Sequence, residues 1–270
     1  MLFKNKQCEY CKNNYDIALE SCPFCGQKDR KYGELGLPKE ILMTSIPTQV
    51  ILFSIGFLSL MLLQLVFGII FSEMYLHDDD PALLMLANGI PYAIVSVALI
   101  ACLFSIKKPL ISRLKRWKNY LWGIAFGAVL IGFSYLYSFL IGLGNFGDNN
   151  NQNAAETMIF AFPVLSMIVM GILAPVCEEL TYRLGLFSFA KRINKYLAYV
   201  IVIIVFGLIH FDFLAEDIVN ELVSLPQYMI AGLLFCLAYE YKGLPCCVVA
   251  HMLNNIFSIA FILIQGKPNA

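Results

Sequence analysis

Residues 46–71 read IPTQVILFSIGFLSLMLLQLVFGIIF. No Asp, Glu, Lys, Arg or His interrupts the run. A helix needs about 20 apolar residues to cross the hydrocarbon core of a bilayer, so this stretch is long enough to span it. It is also too long for a buried helix of a soluble core, and too continuous for the period-two alternation of a membrane barrel. Outward from it, six more stretches have the same character, near 82–106, 119–143, 157–177, 196–212, 222–241 and 244–264. The fifth of the seven is short, and the sixth carries polar residues near its start. The whole chain is 59% hydrophobic and 14% charged, against roughly 45–50% and 25% for a soluble domain. The expectation is an all-α, polytopic membrane helical bundle of about seven transmembrane helices. A soluble enzyme, a disordered chain and a disulfide scaffold are excluded. Lys plus Arg balances Asp plus Glu at 19 each, so charge points to no nucleic-acid partner, whereas membrane lipid is an obligatory one.

The first 40 residues are polar and lack the early apolar core of a signal peptide, so the first span is expected to insert the chain and stay. Lys and Arg then set the orientation. Lys28, Arg30, Lys31 and Lys39 precede the first span. Lys107, Lys108, Arg113, Lys115, Arg116 and Lys118 follow the second, Arg183, Lys191, Arg192 and Lys195 the fourth, and Lys242 the sixth. The intervening loops 73–80, 145–156 and 211–221 have none. This alternation places the amino terminus in the cytoplasm.

The polar leader contains Cys8-x-x-Cys11 and, ten residues on, Cys22-x-x-Cys25. Two thiolate pairs close a tetrahedral zinc site, and a segment this short has no other means of folding. Gly26 follows the second pair, where a tight turn accepts a residue without a Cβ, while Lys12 holds the matching place in the first. The expectation is a structural zinc ribbon over 1–30, closed to catalysis and available for docking a protein partner, with a linker over 31–45. Cys102, Cys177, Cys236, Cys246 and Cys247 read as small buried hydrophobes.

Ionisable residues inside spans cost about 2.5–3.5 kcal/mol each at mid-helix. Here they fall in three places: Cys177-Glu178-Glu179-Leu180-Thr181-Tyr182-Arg183, Phe206-Gly207-Leu208-Ile209-His210, and His251-Met252-Leu253-Asn254-Asn255. Two of the chain's three histidines are among them. His77, beside Asp78, Asp79 and Asp80, reads as surface. Four-residue spacing lets Glu179 pair with Arg183 and sets Phe206 one turn before His210, and His251 one turn before Asn255. If the fourth helix continues past Pro175 to about Ala190 and turns near 191–195, Glu178 and His210 both stand some 22–26 Å from that turn. His251 stands only about 13 Å beyond Lys242, which demands a deeper turn, a tilt or a protruding hairpin.

A carboxylate and two imidazoles meeting in a low-dielectric cavity can hydrolyse a peptide bond. The carboxylate acts as general base on water. The imidazoles either hold a metal that acidifies that water or donate hydrogen bonds to a developing oxyanion. Asn255 can polarise a carbonyl.

These segments resemble the CAAX-protease and bacteriocin-processing family of intramembrane proteases, whose signature is Glu-Glu-x-x-x-Arg, Phe-x-x-x-His and His-x-x-x-Asn or Asp. Glu178-Glu179 with Arg183, Phe206 with His210, and His251 with Asn255 match it in order. The resemblance covers about 157–260; the ribbon lies outside it and the first three spans are not diagnostic. It implies that Glu178 activates the water, that His210 and His251 complete the site with Asn255 in support, and that Glu179 with Arg183 braces the helix. It leaves metallo- and glutamic-type mechanisms open, with His210 and His251 as metal ligands in the first. Bacterial relatives act on small peptides or confer immunity, which implies a bacterial plasma membrane. The reading is therefore a zinc ribbon, amino-terminal transmembrane helices over 46–143 and an intramembrane peptidase core over 157–264, cleaving a membrane-associated peptide or protein. Its rival is a non-proteolytic scaffold or immunity-type regulator that docks through the ribbon. A transporter is disfavoured because no repeated halves or paired broken helices are visible.

Overall fold

The computed structural model describes residues 5–8, 11–16, 19, 21–26, 44–73, 80–103, 114–144 and 146–266. The basic residues Lys28, Arg30, Lys31, Lys39, Lys107, Lys108 and Arg113, together with His77, Asp78, Asp79 and the stretch 31–43, lie outside them.

Among the described residues, eight helices follow a two-stranded antiparallel hairpin, β1 (Asn5–Gln7) with β2 (Asn14–Asp16). They are α1 (Ile46–Glu73), α2 (Pro81–Cys102), α3 (Trp117–Leu143), α4 (Asn150–Ala161), α5 (Pro163–Lys191), α6 (Lys195–Leu208), α7 (Ile218–Lys242) and α8 (Leu244–Gln265). Six of these, all but α4 and α6, are long and apolar enough to cross a membrane. The chain is thus an integral membrane protein of helical architecture. Helix α6, at 14 residues, is the short fifth stretch of the sequence.

One boundary differs from expectation. The stretch 157–177 is not one helix. Pro163 disfavours helical geometry at the residue before it, and Phe162 accordingly leaves the helical region at φ −136°, ψ 65°. Helix α4 ends there, and α5 starts with Pro163 at its first turn, where a missing N–H costs nothing. From that point α5 runs through Pro175 to Lys191, and residues 192–194 turn the chain into α6, whose amino terminus Asn194 caps through its side chain.

Helix α5 is the axis of the bundle. More than half of its most apolar window is buried, a larger share than in any other span, whereas α1 and α3 leave Leu62 and Val129 about 60% exposed, as lipid-facing residues should be. Within α5 two segments, Val169–Leu173 and Glu179–Phe187, are wound as π-helix. Such i→i+5 winding is favoured where a helix is distorted at a functional site. Pro175 accounts for the first: it has no N–H to return to the preceding turn.

Small residues let the other helices approach. A Cβ on Gly56 of α1 would stand 1.7 Å from Thr181 Oγ1, and one on Gly185 would stand 2.9 Å from the Phe53 backbone N. Gly123 and Gly127 of α3, four apart, lie against the backbone carbonyls of Cys246 and Ala250 in α8, the close contact that small residues at this spacing permit between membrane helices. That contact fixes the turn of α8 on which His251 sits.

Candidate functional site

Each of the three polar segments begins on a different helix, and packing around α5 brings them to one place. Glu178 and Glu179 are adjacent on α5, 6% and 0% exposed. His251 projects from α8 and donates from Nδ1 to Glu179 Oε1 at 2.8 Å. Its Nε2 faces Glu178 Oε2 at 3.9 Å. Arg183, one turn beyond Glu179, is fully buried and sets Nη1 3.1 Å from the same Glu179 oxygen. A buried guanidinium needs more than one partner to offset its desolvation. Arg183 Nη2 donates to the Gly232 carbonyl at 3.3 Å, and its head lies over the rings of Phe206 and Phe235 at 4.4 and 5.1 Å. Phe235 also stacks on the His251 imidazole, centroids 4.3 Å apart.

Phe206 is the hub between the histidines. Its ring centroid is 5.1 Å from that of His210 and 6.0 Å from that of His251. His210 follows the end of α6 and donates from Nδ1 to the Phe206 carbonyl at 2.9 Å, which leaves Nε2 as its other nitrogen. Glu178 and His251 lie within electrostatic reach of that imidazole. Tyr228 of α7 stacks on its face at 4.5 Å and 13°.

The depth mismatch of His251 is absent from the folded chain. Tyr239 near the end of α7 shares a hydrogen bond with Ser188 of α5 at 2.8 Å, and Glu240 pairs with Lys191 and Lys195 at 2.7 and 3.1 Å. The α5–α6 and α7–α8 turns are therefore near one level. A π-helix rises less per residue than an α-helix, so the nine-residue segment Glu179–Phe187 draws the two glutamates down towards His251.

Asn255 takes a partner that Pro175 provides. In the π register the Met170 carbonyl would bond to residue 175, which is proline and has no N–H. Asn255 Nδ2 donates to that carbonyl at 2.9 Å. A backbone group freed inside a membrane helix must be met from elsewhere, so this contact explains both the proline and the asparagine.

Two further side chains enter the site without a clear signal in the sequence. Tyr92 of α2 donates to Glu178 Oε1 at 3.0 Å; a tyrosine in an apolar span next to Pro91 is unremarkable as sequence. Tyr228 sits in the polar start of the sixth stretch. Glu178 Oε2, by contrast, is buried with no hydrogen-bond partner among the described residues. Glu179 Oε2 is likewise buried without a hydrogen-bond partner among the described residues, but only Glu178 has its other oxygen held by a tyrosine while its free oxygen faces the His251 Nε2.

The amino-terminal cysteines form a second cluster. The sulfurs of Cys8, Cys11, Cys22 and Cys25 lie within 4.8 Å of one another, with Cys8–Cys25 at 3.7 Å and Cys11–Cys22 at 3.4 Å. Both pairs are followed by a residue in the left-handed region, Lys12 at φ 61° and Gly26 at φ 73°. The N–H groups of these residues return to the carbonyls of Cys8 and Cys22 at 3.0 and 2.8 Å. Lys12 therefore adopts the turn that glycine takes more readily. The Cys11 thiol is pushed down to about 6, first by a backbone hydrogen bond at Asn13 and further by contacts with the other three sulfurs. These four side chains can hold one structural metal ion. Among the described residues they are the one set of three or more metal-ligating groups gathered tightly enough to do so.

Comparison with known proteins adds an independent line. Residues 160–257 match the family model described as Type II CAAX prenyl endopeptidase Rce1-like, and this range contains every polar residue of the α5–α6–α8 cluster. An uncharacterized protein of Mycoplasma capricolum subsp. capricolum is 27% identical over 224 residues, 76% of this chain and 64% of the relative. The UPF0177 protein YvdC of Lactococcus lactis subsp. lactis is 24% identical over 144 residues, 50% of this chain and 52% of the relative. The match thus spans between half and two thirds of these curated relatives. No solved structure matches the chain. Residues 160–257, which hold all three motifs, are thus similar to the Rce1-like family model.

Proposed function

We propose that the protein is an intramembrane endopeptidase that hydrolyses a peptide bond of a membrane-associated peptide or protein. Glu178 is the general base. The observation that carries this reading is its orphaned Oε2, buried and 3.9 Å from His251 Nε2. A water seated beside both atoms has an acceptor for its proton and a partner that fixes its orientation, the geometry a general base requires. Tyr92 holds the other oxygen and so aims the free one. Glu179, pinned by Arg183, accepts a hydrogen bond from the Nδ1–H of His251 and thereby sets its tautomer, in the way a buried carboxylate orients a catalytic imidazole. His210 spends its Nδ1 proton on the Phe206 carbonyl, so its neutral ring presents a lone pair at Nε2, and it donates to a developing oxyanion only as the imidazolium. Asn255 supports α5 at the Met170 carbonyl.

The metal-free form of this chemistry fits the contacts better. A two-histidine, one-carboxylate zinc site needs three ligand atoms about 2.0–2.2 Å from one ion, and among the described residues Glu178, His210 and His251 are not gathered to that degree. The ribbon is different. Four thiolates around zinc at about 2.3 Å stand about 3.8 Å apart, close to the separations of the cysteine sulfurs. Zinc there is structural, and the ribbon is a docking module for a protein partner. The positive-inside alternation supports a cytoplasmic ribbon, and the bacterial origin of the similar proteins supports a bacterial plasma membrane.

The test compares membrane-bound and secreted small peptides between cells carrying the native chain and cells carrying Glu178→Gln. A peptide set whose termini change only in the variant is the expected result. Unchanged peptides alongside loss of phenotype on deleting residues 1–30 would establish the scaffold instead.

A further inference from the structure

The basic end of the bundle holds a feature the peptidase site does not use. A cavity of about 470 Å³ opens between the start of α3 and the end of α7. Its cations are Lys115, Arg116, Lys118 and Lys242. Among the described residues none of them makes an ion pair and no acidic side chain lines the space. Four positive charges brought together without a counter-ion repel one another, an arrangement that an anionic ligand relieves.

Two further observations point to a ligand. Asn119, 9% exposed, lines the same cavity, and its Nδ2 has no hydrogen-bond partner among the described residues. A buried amide donor left unmade costs about 1–3 kcal/mol, so a ligand oxygen there recovers it. The first turn of α3 also lacks an acidic residue, and its cap residue Arg116 makes no side-chain bond to the open N–H groups. The positive end of a 27-residue helix therefore faces the cavity's surroundings uncompensated.

The walls identify the source of the anion. Trp117 and Trp122 line the cavity and are 64% and 48% exposed, and Lys242 lies over the Trp122 ring at 4.4 Å. Tryptophan beside lysine is the composition of the head-group layer of a membrane. From Trp117, one helical face continues through Leu121 and Ile124, both about half exposed, and offers an apolar track to acyl chains. A free phosphate would use the cations and leave that track unused.

We infer that this cavity binds the phosphate head group of an anionic phospholipid, such as phosphatidylglycerol, with its chains along α3. Lys115, Arg116, Lys118 and Lys242 neutralise the phosphate and Asn119 donates to it. Basic pockets between membrane helices recognise lipid head groups by this charge matching.

Trp117 and Trp122 are the chain's only tryptophans, so its intrinsic tryptophan emission reports this cavity alone. The full chain is placed in nanodiscs of phosphatidylcholine and titrated with phosphatidylglycerol, or with further phosphatidylcholine, brominated high on the acyl chain. The expected result is saturable quenching by the anionic lipid at a several-fold lower mole fraction than by the zwitterionic one. Lys115→Gln/Lys118→Gln and, separately, Lys118→Gln/Lys242→Gln should each bring the two curves together; the first pair leaves the Lys242–Trp122 contact in place. Millimolar inorganic phosphate should not restore emission. Coincident curves for the native chain, indicating general immersion in the interface, would overturn the inference. So would reversal of quenching by phosphate, which would make this a site for a soluble anion, or retention of lipid selectivity by both variants.

Discussion

The molecule gathers polar ligand groups twice, and the two clusters are held by different forces. In the ribbon, four sulfurs converge in a segment whose buried apolar residues are Cys8, Tyr15 and Cys22, with Cys11 and Leu19 packed against them. Three of those five are cysteines of the proposed metal site, so among the described residues little else can fold it. At the α5–α6–α8 cluster the same convergence rests on a large core around Leu180, Phe187, Phe206, Phe235 and Tyr239. There the packing comes first and the polar groups are carried into place at a cost. The comparison teaches that a metal can substitute for a core, and that a core can impose proximity on charges that would otherwise remain in water.

Removing the metal is the sharpest way to break the parallel, and it has the largest expected effect. Zinc binding supplies about 10–16 kcal/mol to small thiolate modules. A chelator should therefore release one equivalent of zinc and abolish protection of the 1–30 backbone in hydrogen exchange, while α5–α8 keep theirs. Loss of protection in α5–α8 as well would mean that the ribbon is a strut of the membrane domain. Among the described residues the ion pair joining them, Asp16 to Arg192 at 3.7 Å with Asp16 half exposed, is too weak to make it one.

Next in size is the split between the two glutamates. General-base catalysis contributes about 10²–10⁴-fold, so Glu178→Gln should lower the cleavage rate by that factor with the thermal midpoint unchanged, since Oε2 has no bond to lose. Glu179→Gln should lower both rate and midpoint, because Glu179 joins His251 and Arg183. Equal effects on rate and none on midpoint would show that the two carboxylates share one task.

Arg183→Ala tests the core side of the comparison directly. It leaves Glu179 charged and fully buried beside His251 and the Cys247 thiol, without its cation, and breaking a buried pair in this way costs about 3–5 kcal/mol. Thermal unfolding in detergent should record that loss. A drop below about 1 kcal/mol would mean that the cation–π contacts with Phe206 and Phe235 carry no net stabilisation.

The membrane architecture was legible because bilayer thickness imposes one length on every span, and runs such as 46–71 have no competing explanation. The cysteine pairs were legible because metal ligation depends on short spacing. In the core, the four-residue spacings placed Glu179 beside Arg183 and His210 beside Phe206, both of which are local. Contacts between helices were not legible as geometry. The depth count failed for His251 because it assumed α-helical rise, and α5 is π-wound through Glu179–Phe187. The break at Phe162 was available from Pro163 and was hidden by the apolar run through it. Asn255 was visible as a polar residue, but its partner was the carbonyl freed by Pro175 on another helix.

Tyr92 is the clearest case of what local pattern cannot carry, and its removal should have the smallest effect. It belongs to α2, outside the matched family segment, and reaches Glu178 from 86 positions away. Tyr92→Phe removes one hydrogen bond to a charged group and keeps the ring. Such bonds are worth about 1.5–3 kcal/mol to stability, but much of this one is present in both ground and transition states, and only the difference appears in the rate. The cleavage rate should fall about tenfold or less, with KM unchanged. Glu178→Gln/Tyr92→Phe should be no slower than Glu178→Gln alone, since the tyrosine acts through the carboxylate it aims. A further loss in the double variant would mean that Tyr92 touches the reacting peptide itself, and the site would then draw a working group from the half of the molecule where its sequence shows none.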